Sequence, residues 1–200
     1  MLTRREMLQQ LGAMIGFAAG FPIAGRSQAR TVALPAVGES LISLTSAEAE
    51  TLRAIIARLI PADENGPGAL EARADRFIDR ALAAALKNQR EAYSTGLAAI
   101  EKEAQSKKST SFSKLSPADQ DAILTGMQGT SFFILVRTHT IQGTFSDPFY
   151  GGNENFIGWN LIGYPGARIV VSANLQRMDV KPEPSNKSAY EYGMFNKGEF

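Results

Sequence analysis

Between Thr45 and Pro61 the apolar residues Leu52, Ile55, Ile56, Leu59 and Ile60 recur at the i, i+3, i+4, i+7, i+8 spacing of one helical face. A strand would alternate with a period of two, so this run can bury its side chains together only as a helix. Its start is marked as well. Thr45 and Glu48 have the spacing of a capping box, in which the hydroxyl accepts from the first turn and the carboxylate reaches back to the cap. Leu44 stands where a hydrophobic staple would sit, and Pro61 ends the helix. Asp63-Glu64-Asn65-Gly66-Pro67-Gly68 follows as a turn.

The same grammar repeats. Leu70, Ala74, Phe77, Ile78, Ala81, Leu82 and Leu86 form a second stripe, flanked by Glu71, Arg73, Arg76, Asp79 and Arg80 on a polar side. A third helix from about Gln89 to Ala104 presents Tyr93, Leu97 and Ile100, and Gln105 to Ser113 reads as a polar loop. Ser116-Pro117-Ala118-Asp119 is a helix start with cap, proline at the first helical position and a carboxylate at the positive end; Ile123, Leu124 and Met127 are its buried side. Phe132 to Val136 is apolar on every side, which predicts a helix in the centre of the core, continuing through His139 to Gly143. The expectation is an all-α domain, a compact bundle of about five helices with no strand and no internal repeat.

After Gly143 the texture changes. Phe145 to Ala167 mixes Gly151, Gly152, Gly158, Gly163, Gly166, Pro148 and Pro165 with the rings of Phe145, Phe149, Tyr150, Phe156, Trp159 and Tyr164. A segment over 20 residues long with little regular structure is uncommon in a compact domain and usually has a job. A short apolar run, Ile169 to Val171, precedes an irregular tail whose aromatics, Tyr190, Tyr192, Phe195 and Phe200, point to docking rather than free solution.

The other end of the chain carries Thr3-Arg4-Arg5-Glu6-Met7-Leu8-Gln9 ahead of an uncharged apolar stretch from Leu11 to Ala24. Paired arginines before a short, glycine-interrupted apolar segment are the address of twin-arginine export, which carries proteins already folded. The stretch falls short of the about 20 apolar residues a membrane-spanning helix needs. An uncleaved anchor is the weaker reading, and Ser27-Gln28-Ala29 predicts cleavage after Ala29. The expected organisation is therefore a signal peptide over 1–29, a linker over 30–44, a helical domain over 45–168 and a tail over 169–200.

Removing a leader with a net charge of +2 would leave a mature chain near −1, which disfavours a nucleic-acid binder. The chain has no cysteine, so disulfides, c-type haem attachment and thiolate metal sites are all excluded. There is no G-x-G-x-x-G following a strand, no P-loop and no H-E-x-x-H. A single histidine, His139, cannot build a histidine-rich metal site. His139 with Asp147 or Glu154 would suit a general base. The competing and favoured reading places His139 near a helix C-terminus, bonded to a carbonyl and positioning the loop that follows.

Four blocks carry a resemblance: Ile60-Pro61-Ala62-Asp63, Leu115-Ser116-Pro117-Ala118-Asp119-Gln120, the run from His139-Thr140-Ile141-Gln142-Gly143 through Asp147-Pro148-Phe149-Tyr150-Gly151-Gly152-Asn153, and Gly158-Trp159-Asn160-Leu161-Ile162-Gly163-Tyr164-Pro165-Gly166. Over roughly residues 44 to 168, and in its leader, the chain resembles the small subunit (subunit 3, or gamma) of bacterial gluconate 2-dehydrogenase and related sugar dehydrogenases. The resemblance implies a non-catalytic partner of an FAD-dependent large subunit of the glucose–methanol–choline type. It also implies a multihaem cytochrome c as a third subunit, export of the large subunit through the twin-arginine translocase on this chain's leader, and a periplasmic, membrane-associated complex. On that reading Arg4 and Arg5 are the export signal, and Phe145, Phe149, Tyr150, Trp159 and Tyr164 supply partner-facing anchors, with Arg137 and Arg168 at the rim. The rival readings are a stand-alone periplasmic enzyme using His139 and Asp147, and a transient assembly chaperone.

Overall fold

The computed structural model describes residues 40–177 and 179–193. Arg4, Arg5, the cleavage site after Ala29 and most of the linker lie outside the described residues. Among those described, six α-helices and no named strand are present, joined by short 3-10 turns. The all-α expectation holds.

Helix α1 (Ser46–Leu59) opens with the anticipated capping box: Glu48 N donates to Thr45 Oγ1 at 3.3 Å, and Thr45 N donates to Glu48 Oε2 at 2.8 Å. Its apolar face, Leu52, Ile55 and Ile56, is wholly buried. At about 1.5–3 kcal/mol for each such side chain, this face is a principal source of cohesion. Helix α1 packs against α2 (Ala74–Ala83), α3 (Arg90–Lys108), α4 (Pro117–Gly126) and α5 (Ser131–Phe145), which makes it the central helix. The all-apolar start of α5 predicted that place for α5 instead. Ile134 is exposed and Phe133 half-buried, so α5 keeps one side outside the core.

The polar flank of α2 also departs from expectation. Asp79 is buried, and its carboxylate accepts the backbone N–H groups of Ile42, Ser43 and Leu44 at 2.8–2.9 Å, fixing how the chain approaches α1. Asp75 is buried between Arg53 at 2.8 Å and Arg73 at 3.2 Å. A buried carboxylate needs such partners, and these two have them. Helix α4 starts as read, with Asp119 N donating to the Ser116 hydroxyl at 3.2 Å and Pro117 in the first turn. Arg58 of α1 clamps Asp121 of α4 through two bonds of 2.6 and 2.7 Å. Helix α3 runs four residues beyond Ala104 into the stretch read as loop.

Helices α2 and α5 form the most extensive pairing in the bundle. Helix α5 continues through Gly143 to Phe145, and Thr140 and Thr144 bury their hydroxyls by donating to the carbonyls of Val136 and Thr140, both at 2.7 Å. The glycine-aromatic segment leaves this end of α5 and is more regular than its composition implied. It holds 3-10 turns at Pro148–Tyr150 and Glu154–Phe156 and a short helix α6 (Ile157–Ile162).

Candidate functional site

The segment after α5 is organised around Asn153, which is fully buried and sits in the left-handed region at φ 46°. Its backbone N–H donates to Gly143 O at 2.9 Å. Its side-chain nitrogen donates to Ser146 O at 2.8 Å, and Oδ1 accepts from Gly158 N at 2.8 Å and Trp159 N at 3.3 Å. One side chain thus joins the end of α5 to the first turn of α6, satisfying amides that a helix N-terminus leaves free. The backbones must come very close for this. A Cβ on Gly152 would overlap the carbonyl oxygen of Gly143, and one on Gly158 would overlap that of Thr144. These two positions require glycine because a neighbouring backbone already occupies the space.

Asn153 is the residue that sequence reasoning missed. The available signal was an asparagine directly after two glycines, a residue type that tolerates positive φ.

The five rings proposed as anchors divide into two groups. Phe149, Tyr150 and Tyr164 are 49%, 47% and 43% exposed. Trp159 is 6% exposed, and its indole N–H donates to Phe145 O at 2.9 Å. The Trp159 ring lies edge-on to Tyr164 with centroids 5.0 Å apart. Trp159 is therefore a strut beneath the surface rather than an outward ring, because a buried indole N–H needs an acceptor and finds one inside the chain. Phe145, the last residue of α5, is half-buried and contributes its carbonyl to that strut. Arg168 donates to the carbonyl of Glu183, and Arg137 is half-buried on α5.

The tail returns to Phe149 and Tyr150. Tyr190 stacks on Phe149 with centroids 3.9 Å apart, and its hydroxyl bonds that of Tyr150 at 2.6 Å. Ser188 Oγ and Ala189 N donate to the Asp147 carboxylate at 2.5 and 2.8 Å. Asp147 also accepts from Phe149 N at 2.9 Å. The run Ile169, Val170 and Val171 is exposed, Val170 at 77%.

His139 is buried, and its Nδ1 lies 2.9 Å from the hydroxyl of Tyr93 on α3, the two rings stacked within 5° of parallel. It ties α3 to α5. The expected bond to a carbonyl near the helix C-terminus is replaced by this one, because His139 faces the bundle interior more than one helical turn before α5 ends. Burial holds its pKa below the ordinary histidine value and pushes that of Tyr93 up, so both rings are neutral at pH 7. Asp147 is committed to the tail, and the Glu154 carboxylate lies 3.9 Å from Arg73. Among the described residues no hydrogen bond joins His139 to Asp147 or Glu154, so the structure does not assemble the pair a general-base mechanism would use.

A separate cleft of about 410 Å³ is lined by Thr45, Glu48, Glu50, Thr51, Glu101 and Ser113. Its carboxylates are engaged by the chain's own groups: Glu48 by Arg90, Glu50 by Ser113, and Glu101 by Thr51 and the Phe112 amide. Among the described residues no cluster of three or more histidine or acidic residues could hold a metal ion, and no helix is long and apolar enough to cross a membrane.

Comparison with curated proteins returned no match, and neither did comparison with solved structures. The family model described as gluconate 2-dehydrogenase subunit 3 matches residues 46–166, from the first residue of α1 to the glycine beneath which Trp159 packs. That match spans the whole bundle and the Asn153-centred segment, and by it the chain belongs to the gluconate 2-dehydrogenase subunit 3 family.

Proposed function

We propose that this chain is the non-catalytic small subunit of an FAD-dependent dehydrogenase complex acting on a sugar, polyol or aldonate. It grips the flavoprotein large subunit with the surface carrying Phe149, Tyr150 and Tyr164, and its twin-arginine leader carries the assembled pair to the periplasm. A cytochrome c subunit would complete the complex, attach it to the membrane and take the electrons onward. The observation that supports this reading best is the half-exposure of those three rings on a segment locked from beneath. Exposed aromatics held in place bury large area on binding with little entropy left to lose. A non-covalent flavin must be enclosed before export, which is the physical reason for a folded-state route.

The test is to purify the tagged full chain from its native host and fractionate the cells. A stoichiometric, FAD-containing protein should accompany the wild-type chain from the periplasm. With Arg4 and Arg5 both replaced by lysine, dehydrogenase activity should stay in the cytoplasm. A chain that purifies alone, without yellow cofactor, would overturn the subunit reading. Activity that remains periplasmic in the double variant would overturn carriage by this leader.

A further inference from the structure

The family match ends at residue 166, yet the chain beyond it folds back onto the surface just described. We propose that residues 183–193 are a strap belonging to the partner-recognition surface, in which Tyr190 is an additional anchor for the flavoprotein subunit and the strap braces Phe149 and Tyr150. The inference rests on the subunit reading and extends it to a region the family match does not include.

The strap is tied at several points along its length. The carbonyl of Glu183 accepts from Arg168, Ser185 N donates to Pro165 O at 2.8 Å, and Tyr192 Oη donates to Ala167 O at 2.9 Å. At its centre the Asp147 carboxylate caps two turns at once, receiving Phe149 N on its own side and Ser188 Oγ and Ala189 N from the strap. Bonds to a charged acceptor are the stronger kind. Ser188 and Glu191 form a capping box that shapes the turn carrying Tyr190. These contacts deliver the Tyr190 ring onto the face of Phe149 and its hydroxyl to that of Tyr150.

The strap orders the rings without hiding them. Phe149 and Tyr150 remain about half exposed with the strap in place, and Tyr190 itself is half-buried. A segment that covered the surface in competition with the partner would bury those rings. Here one face of Phe149 rests on Tyr190, leaving the rest of a three-ring cluster for a partner. Rings held before encounter lose less freedom on binding, which is how bracing translates into affinity.

The experiment uses the full chain and the FAD-containing protein that accompanies it from the native host, separated and recombined by titration, with thermal unfolding of each variant measured alongside. Tyr190→Ala should weaken binding by about tenfold or more, the loss typical of a truncated interface anchor. Tyr190→Phe, which keeps the ring, should stay within about threefold of wild type. Ser188→Ala detaches one tie to Asp147 without touching a ring and should also weaken binding. Wild-type affinity in Tyr190→Ala, with or without a lower melting temperature, would overturn the inference and leave the subunit reading intact. Tighter binding would overturn it too, by showing the tail to be a cover. Failure of the wild-type chain itself to bind would bring down the subunit reading and the inference together.

Discussion

Replacing Asn153 with alanine separates the polar lock from the bundle it is built on. The substitution leaves Ser146 O, half-buried, without its donor, and Gly158 N and Trp159 N, both buried, without their acceptor. A buried polar group stripped of its partner costs about 1–3 kcal/mol, and the Gly158 and Ser146 bonds are the two short ones. An alanine held at φ 46° adds about 1 kcal/mol, since its Cβ crowds the following carbonyl where asparagine is tolerated. The sum is about 3–7 kcal/mol, against about 5–15 kcal/mol for a typical domain. Asn153→Gly relieves the backbone term but not the lost bonds, and should be less damaging than alanine by about 1 kcal/mol. The assay is urea unfolding followed by two signals. Trp159 is the only tryptophan in the chain and its backbone N–H donates one of the lost bonds, so its fluorescence reports on the segment, while far-UV circular dichroism reports on the helices. In Asn153→Ala the fluorescence transition should move to lower urea than the helical one. If Asn153→Ala costs under about 1 kcal/mol, or if both signals shift together by a small amount, the lock is not where the stability of this segment resides.

Gly152→Ala should abolish or severely reduce folding of the segment, because its Cβ would meet the immovable backbone of Gly143; Gly126→Ala, at the end of α4 with open space around it, should be neutral or stabilise by up to about 1 kcal/mol in the same urea titration. His139 has a depressed pKa when folded and an ordinary one near 6.5 when unfolded, so the unfolded chain binds the extra proton first and stability should decline as pH falls below about 6.5. His139→Gln, which cannot titrate, should flatten that part of the curve of melting temperature against pH, and an unchanged slope would assign it to other groups.

The bundle was legible because its signals are local. Thr45 with Glu48, and Ser116 with Pro117, are caps whose partners lie within one turn, so they can be read without knowing the fold. Asp79 could not be read this way. Its spacing puts it on a polar flank, and only the arrival of three amides from 35 to 37 positions earlier explains its burial. Trp159 looked like an anchor because its composition context is an interface context, but its acceptor, Phe145 O, lies 14 positions away across a chain reversal. His139 was placed on the right helix and given the wrong partner, since the Tyr93 hydroxyl comes from α3, 46 positions upstream. Docking of the tail was foreseen in kind for Tyr190 and Tyr192, while Phe195 and Phe200 lie outside the described residues; the target of Tyr190, which is Phe149 and Tyr150 of the same chain, was not.

The contacts of Trp159 and of the tail share a physical cause that also bears on function. On the proposed reading, a surface kept open for a partner cannot be ordered by burying its exposed rings, because burial would consume the area to be recognised. Its order has to come from beneath and from the side. In this chain it comes from directional groups: the Asn153 amide, the Trp159 indole N–H and the Asp147 carboxylate. Each is a polar contact of long sequence separation or unusual backbone geometry, which is why hydrophobic periodicity is blind to it. The same arrangement uncouples two properties that usually travel together. Trimming an exposed ring such as Phe149 removes little buried area, whereas removing the polar lock removes the arrangement of every ring at once.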